Sequence, residues 1–287
     1  MNILISINSN YLFPALAMLT SLLTNNSVKT NIYLLYNDLK DDEIDLLEKG
    51  IEKFDATIFR ILVDNTQFIN FPLSHHFSIE TYFRFLAQSL LPSKVDRVLW
   101  LDADVIVNNS ITDFYYQDLK GYYVSVCESI NKEKNVLLKK LELPEDSNYF
   151  NAGVILFNLE LIRKEIKPNV YFDYLINNKN KITWLDQDVL NVIFNKKIKY
   201  NDSDIFNFQI FSTTEDKPSD FKEKLNNASI IHYIGNVKPW HYKYQNNAYK
   251  NYWKYALIIM GKTPYIKFLI LRKVYFYLWK AKRTLFN

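Results

Sequence analysis

Glycine is scarce in this chain, with five in 287 residues, and cysteine is represented by Cys127 alone. So few glycines disfavour loops that wrap phosphates in bare backbone, and neither a dinucleotide-binding fingerprint nor a Walker-type loop is present. Any bound phosphate needs another device, such as a cation. One cysteine cannot close an internal disulfide, and no basic segment followed by a long apolar core opens the sequence. A reducing, cytoplasmic setting is therefore expected. Acidic residues stop at Glu223: beyond it stand twelve Lys or Arg and no Asp or Glu, which leaves the preceding part net acidic although the whole is +4. Such a split suggests that one end meets an acidic surface, membrane or nucleic acid.

Long apolar runs are missing too. The tail "PYIKFLILRKVYFYLWKAKRTLF" (264–286) is apolar and aromatic, but Lys267, Arg272, Lys273, Lys280, Lys282 and Arg283 interrupt it. No span of about eighteen apolar residues remains to cross a bilayer. At helical spacing Arg272, Lys273, Lys280 and Arg283 share one arc, with Ile, Leu, Phe, Tyr and Trp over much of the remainder, which suits a helix lying in a membrane interface. The plainer alternative is a helix packed on the domain with solvated bases. Interleaving of the bases with Leu, Ile and Phe argues against an open cationic groove, so an anionic membrane surface is the expected partner and nucleic acid is not. Two units are expected, a domain over 1–246 and a helical basic-aromatic tail over 247–287.

What is abundant is hydrophobic residues, 48% of the chain, 16% being aromatic, enough for one large α/β domain. Strands are predicted at 2–8, 30–37, 56–63, 96–102, 122–128, 151–159 and 228–235, and helices at 11–25, 41–54, 78–91 and 186–195. The alternation in the first part implies a mainly parallel central sheet flanked by helices. Ligands of such sheets sit beyond the carboxyl ends of the strands. There the run "LWLDADVIV" (99–107) places Asp102 and Asp104, which on a strand would share a face and need a cation, a shared proton or solvent.

Three readings of this pair compete. It can be a loop of solvated acids. It can be a phosphohydrolase of the haloacid-dehalogenase type, with Asp102 as nucleophile and Asp104 as general acid and base; against this, Ile106 stands where Thr or Val is usual, and the pair is not on the first strand. Or it can be a divalent-metal site for a nucleotide diphosphate, since carboxylate oxygens suit Mg²⁺ or Mn²⁺. "IIHYIGNVKPWH" (230–241) adds a nitrogen ligand, His232, that tilts the preference to Mn²⁺, a phosphate-binding cation, Lys238, and between them Gly235 for a tight turn.

Five segments carry a resemblance: "TYFRF" (81–85), "LWLDADVIV" (99–107), "YFNAGVILFN" (149–158), "LDQDVLN" (185–191) and "HYIGNVKPWH" (232–241). Their order and spacing resemble the family 8 retaining glycosyltransferases, in particular the bacterial lipooligosaccharide galactosyltransferases, from "ISINSNY" to Trp240 and His241. The resemblance implies a GT-A fold for 1–246 and transfer of a hexose, galactose or glucose, from a UDP-sugar to a glycan or glycolipid acceptor at the cytoplasmic membrane face. It also implies Mn²⁺, with Mg²⁺ possible, on Asp102, Asp104 and His232, and Lys238 and the backbone at Gly235 on the diphosphate. Arg84, Ala103, Asn151, Ala152 and Asp186 fall at donor-contact positions, and Gln187 at the one facing the anomeric carbon. Ser6, Asn8, Asn10 and Tyr11 are the nucleoside contacts, with Asn8 where relatives commonly carry an Asp that accepts from the uracil imide. An amide is a poor nucleophile, so front-face displacement is expected, with Asp186 or Asp188 as nucleophile the rival. His75, His76 and Phe77 lie near the implied acceptor side. A catalytically inactive nucleotide-sugar binding module is the non-enzyme alternative.

Overall fold

The computed structural model describes residues 1–68, 71–72, 78–131, 133–213 and 219–286, with side chains as far as residue 278. His75, His76 and Phe77, and the side chains of Lys280, Lys282 and Arg283, lie outside the described residues. The strands are β1 (Asn2–Ser6), β2 (Thr30–Tyr36), β3 (Ala56–Leu62), β4 (Arg97–Leu101), β5 (Val105–Val107), β6 (Val124–Glu128), β7 (Phe150–Asn158), β8 (Ile198–Asn201), β9 (Phe208–Ile210) and β10 (Ile230–Tyr233). Seven form one sheet in the order β3-β2-β1-β4-β7-β6-β8. Strands β1 to β4 pair in parallel, β7 runs antiparallel to both neighbours, and β8 is parallel to β6. The expected mainly parallel sheet is present.

Alternation along the strands sorts side chains into two cores. Ile3 and Ile5 of β1, with Leu99 and Leu101 of β4, pack under helices Leu12–Asn25 and Asp41–Ile51. Leu4, Val98 and Trp100 face the opposite layer, which includes helix Leu185–Phe194 and the segment Ile79–Leu86. Strands covered on both sides read as continuous apolar runs, which is why they were legible.

The structure departs from expectation at two places that matter for the site. The carboxylate pair does not sit on one strand face. Asp102 follows β4 and Asp104 precedes β5, in the turn where the chain leaves the large sheet for a second one, ordered β5-β10-β9. In the second place, an α-helix was expected over 78–91; Ile79–Leu86 is instead a 3₁₀-helix, followed by a short α-turn, Ala87–Leu90. With three residues per turn, side chains three apart stack in rows. Tyr82 and Phe85 are thereby buried in the core, while Ser78, Thr81 and Arg84 line one cleft. In an α-helix that polar row would drift by roughly 60° at each step.

Helix Tyr249–Met260 packs on helix Leu12–Asn25 through buried Tyr252, Tyr255 and Ala256, and Asn25 Nδ2 donates to Tyr255 Oη at 2.8 Å. The last helix, Lys262–Phe286, buries Phe268 in the same core. Beyond it Ile266, Ile270, Val274 and Leu278 are exposed at four-residue spacing. No described helix is long and apolar enough to cross a membrane.

Candidate active site

Strand β10 pairs antiparallel with β5, setting His232 opposite Val105, and Tyr233 N donates to Asp104 O at 3.0 Å. That register carries the imidazole to the carboxylate turn from more than a hundred residues away in sequence. One ligand atom each from Asp102, Asp104 and His232 lie within 4.8 Å of one another. Strand β7 closes the site from the side: Asp102 N donates to Gly153 O at 2.9 Å. A Cβ at Gly153 would lie 2.2 Å from His232 Cε1 and 2.9 Å from Asp102 Oδ2, so only glycine leaves room for the three ligands.

A directed chain of hydrogen bonds sets the tautomer of His232. Gly153 N donates to Asn151 Oδ1 at 3.0 Å, which fixes that amide. Asn207 Nδ2 donates to the same oxygen at 3.0 Å, so Asn207 Oδ1 faces His232 Nδ1, 2.9 Å away. A carbonyl only accepts; Nδ1 therefore carries the hydrogen and Nε2 keeps its lone pair. Nε2 lies 3.3 Å from Asp104 Oδ1, a buried oxygen without a hydrogen-bond partner among the described residues. Two acceptors facing each other beside a third, with a glycine keeping the space clear, fit a divalent cation bound by mixed oxygen and nitrogen ligands. Burial alone would raise the Asp104 carboxyl, but the Lys238 ammonium beside it opposes this and holds the group well below the usual carboxylate range. Lys238 Nζ donates to Asp104 Oδ2 and, at 2.7 Å, to Tyr233 O. Between them Gly235 turns with φ +84°, a left-handed conformation open to glycine.

In the other direction the chain reaches helix Leu185–Phe194. Gln187 Oε1 accepts from Asn151 Nδ2 at 3.3 Å and from Ala152 N at 3.0 Å, and its Nε2 donates to Tyr149 Oη at 3.1 Å. Tyr149 donates to Asp188 Oδ1, while Thr183 N and Trp184 N, the latter at 2.7 Å, donate to Asp188 Oδ2. Asp188 is thus buried, occupied on both oxygens and absent from the cleft lining. It shapes the entry to the helix, where Leu185 is held at φ 47°.

Arg84 occupies the middle. It is 5% exposed, its guanidinium lies 4.4 Å from the Trp100 ring centroid, and it donates to Ala152 O and, at 3.0 Å, to Asp102 Oδ1. Trp100 Nε1 donates to the same Oδ1 at 2.7 Å. Arg84 Nε lies 3.1 Å from Asp186 Oδ2, but its single hydrogen goes to Thr81 O at 3.1 Å. Asp186 Oδ2 therefore feels the charge without a hydrogen bond and stays a buried acceptor without a donor among the described residues. Burial pushes the Asp186 carboxyl up to about 7; Arg84 opposes this and Asp102 adds to it.

Asp102, Asp104 and His232, with Arg84, Asn151 and Gly153, open onto a cleft of about 1420 Å³. Ser6, Asn8, Asn10, Tyr11, Ala103 and Gly235 line it, as do Asp186, Gln187 and Lys238. Tyr11 meets Trp240 edge-on at 5.9 Å, and Ser6 Oγ is buried without a partner among the described residues. The structure thus brings to one cleft the candidate metal, donor and nucleoside residues named from sequence, with Asp188 behind the wall. Sequence reasoning missed Gly153, Trp100, Tyr149, Asn207 and Glu80. The first three stand inside the quoted motifs and could have been found there; Asn207, in "DIFNFQI", carries no local signal.

Comparison with known proteins agrees with this geometry. The profile of Glycosyl transferase family 8 matches residues 2–244. An Escherichia coli lipopolysaccharide 1,2-glucosyltransferase is 29% identical over 280 residues, spanning 93% of this chain and 81% of the relative. A Salmonella typhimurium lipopolysaccharide 1,3-galactosyltransferase is 30% identical over 246 residues, 84% of this chain and 73% of the relative. Among solved structures, the galactosyltransferase LgtC in complex with donor and acceptor sugar analogues superposes with a TM-score of 0.78 at 23% identity, over 89% of this chain and 95% of that one, which shows a shared GT-A fold. With the matched profile covering most of its length, the chain belongs to glycosyl transferase family 8.

Proposed function

We propose that this glycosyltransferase moves a hexose, galactose or glucose, from a UDP-sugar to a saccharide or glycolipid acceptor with retention of configuration, and that Asp102, Asp104 and His232 hold Mn²⁺, or Mg²⁺ in its place. The observation that carries this is the convergence of the three ligand side chains beside the unpartnered Asp186 Oδ2 in one cleft. Similarity to lipopolysaccharide glucosyl- and galactosyltransferases supports a lipid-linked glycan as acceptor.

When bound, the cation neutralises negative charge on the departing diphosphate. Lys238, with the backbone at Ala103 and Gly235, adds positive charge and donors at the same end. Ser6, Asn8, Asn10 and Tyr11 receive the nucleoside, Tyr11 offering a ring face. Asp186 Oδ2 accepts from a donor-sugar hydroxyl. Asn151 and Ala152 act chiefly by placement, since they hold Gln187, Gly153, Asn207 and Arg84. The Gln187 amide is bonded at both ends, which supports front-face displacement: it cannot turn to attack, and serves as fixed polar surface opposite the entering hydroxyl, whose proton passes to the departing phosphate oxygen. Asp186 remains the rival nucleophile, and a trapped glycosyl adduct would establish it. The haloacid-dehalogenase alternative gives way to the family assignment, and its scheme has no use for His232.

Incubating the purified protein with Mn²⁺ and UDP-galactose or UDP-glucose should release UDP, faster with a suitable acceptor and not at all with EDTA. UDP formation indifferent to EDTA would remove the metal, and binding without turnover would leave a nucleotide-sugar binding module.

We further propose that 1–246 is the catalytic unit and that the tail from 247 docks it on the anionic inner face of the cell membrane, with Tyr249–Met260 as anchor. Arg272 belongs to the anchor rather than to the membrane face: its guanidinium stacks on Tyr249 and Phe276, at 4.8 and 4.7 Å from the ring centroids, and donates to Gln245 O. The apolar stripe from Ile266 to Leu278 would enter the lipid. Ile270→Glu with Val274→Glu, both at exposed positions, should lower co-sedimentation with phosphatidylglycerol-containing vesicles at least about tenfold, since each change removes apolar burial and adds repulsion. Unchanged co-sedimentation would rule out this face.

A further inference from the structure

Asn8 caps the short 3₁₀ turn Ser9–Tyr11 by accepting from Asn10 N through Oδ1 at 3.1 Å. Its Nδ2 donates to Glu80 Oε2 at 3.3 Å and reaches Ser78 Oγ at 3.4 Å. A carboxylate only accepts, so both ends of this amide are fixed in orientation. What Asn8 still offers a ligand is the second lone pair of a neutral carbonyl already turned to its own loop. Glu80 differs. It is 6% exposed, lines the same cleft as Asn8, Asn10 and Tyr11, and among the described residues has no cation within ion-pair distance and no donor on its second oxygen. A buried carboxylate in that condition gains from a ligand that brings a hydrogen.

We propose that Glu80 is the specificity-determining acceptor of the nucleobase subsite and selects a base carrying an imide N–H. This rests on the uridine-sugar reading above and assigns its base recognition to a residue on the 3₁₀-helix. Uracil presents such an N–H at N3. Cytosine presents a bare acceptor there, so in its complex two acceptors would face each other, and a site built around an acceptor rejects the analogue that lacks the hydrogen.

The test is titration of UDP and CDP, each with Mn²⁺, into the wild type, Glu80→Gln and the exchange variant Asn8→Asp with Glu80→Gln. The wild type should prefer UDP by at least about tenfold. Glu80→Gln, whose amide can donate to cytosine, should close most of that gap. The exchange variant reverses the same hydrogen bond, the new amide at position 80 donating to the new carboxylate at position 8, and returns a carboxylate to the subsite; it should restore the preference. Manganese pyrophosphate, which has no base, should bind all three proteins alike. The assignment fails if Glu80→Gln keeps the wild-type ratio, if the exchange variant is no better than Glu80→Gln, or if pyrophosphate binding falls along with UDP binding. A wild type that binds neither nucleotide in the presence of metal would instead overturn the uridine-sugar reading itself.

Discussion

Gly153→Ala should remove metal-dependent donor binding while leaving a folded protein. The added carbon would stand 2.2 Å from His232 Cε1, far inside contact distance, and 2.9 Å from Asp102 Oδ2. The imidazole has no easy retreat: Nδ1 is tied to Asn207, Nε2 faces Asp104, and β10 is paired on both edges. Relief must come from rotating His232 off its bond to Asn207 or from pushing β7 away from the carboxylate turn, and either one spreads the ligands. Overpacking of this kind costs about 1–3 kcal/mol of stability, which a domain of this size can absorb. A ligand set displaced by even about 1 Å loses orders of magnitude in affinity and rate. Calorimetric titration with Mn²⁺ and UDP should show at least about a hundredfold weaker binding, against a far-ultraviolet spectrum like that of the wild type. Wild-type affinity in this variant would mean that the nucleotide is held elsewhere, because no arrangement of Asp102 and His232 that tolerates the new carbon keeps their present distances.

The same residue shows what was and was not legible in the sequence. Strands β1, β2, β4 and β7 are covered on both faces, so their apolar runs stood out and drew attention to the residues at their ends. Strands β5, β8 and β9 are three or four residues long and gave no pattern of their own. Missing β5 is what made Asp102 and Asp104 look like neighbours on one strand. They converge because the chain turns between two sheets and because β10 pairs there, a long-range register that local periodicity does not encode. The 3₁₀ winding of Ile79–Leu86 was hidden for a related reason. Its pattern of Tyr, Phe and Leu suits either helix, and the tertiary bond from Arg84 to the Ala152 carbonyl, made only in the folded chain, leaves no local trace. Asn207 was unreadable altogether: an asparagine between two aromatics acquires its role only when folding sets it between Asn151 and His232.

Arg84→Met should be the most damaging single change outside the candidate metal ligands, and its cost should depend on pH. Arg84 is the buried cation shared by Asp102 and Asp186, and removing one partner of a buried pair costs about 3–5 kcal/mol because the other charge is left uncompensated. Lysine cannot substitute, since a single ammonium neither spans Thr81 O, Ala152 O and Asp102 nor stacks on Trp100 as the planar guanidinium does. Turnover should fall by about a thousandfold or more, as the variant unsettles both the proposed donor-sugar acceptor, Asp186, and a candidate metal ligand, Asp102. The pH dependence follows from Asp186. Its carboxyl titrates at about 7 in the folded chain against 3.8 in the unfolded one, so its contribution to stability is fully present below pH 4 and lost as pH rises through 7. Losing Arg84 removes the charge that opposes this rise, so the folded value climbs further and more stability is forfeited at high pH. At pH 5 Asp186 is protonated in both proteins and is indifferent to the missing cation; at pH 8 the wild type holds it ionised beside Arg84 while the variant must either protonate it or bury it alone. Urea unfolding at the two pH values should therefore show a larger gap between wild type and variant at pH 8 than at pH 5. An equal gap would mean that Arg84 contributes through Trp100 and the two carbonyls alone, and that Asp186 is ionised and satisfied without it.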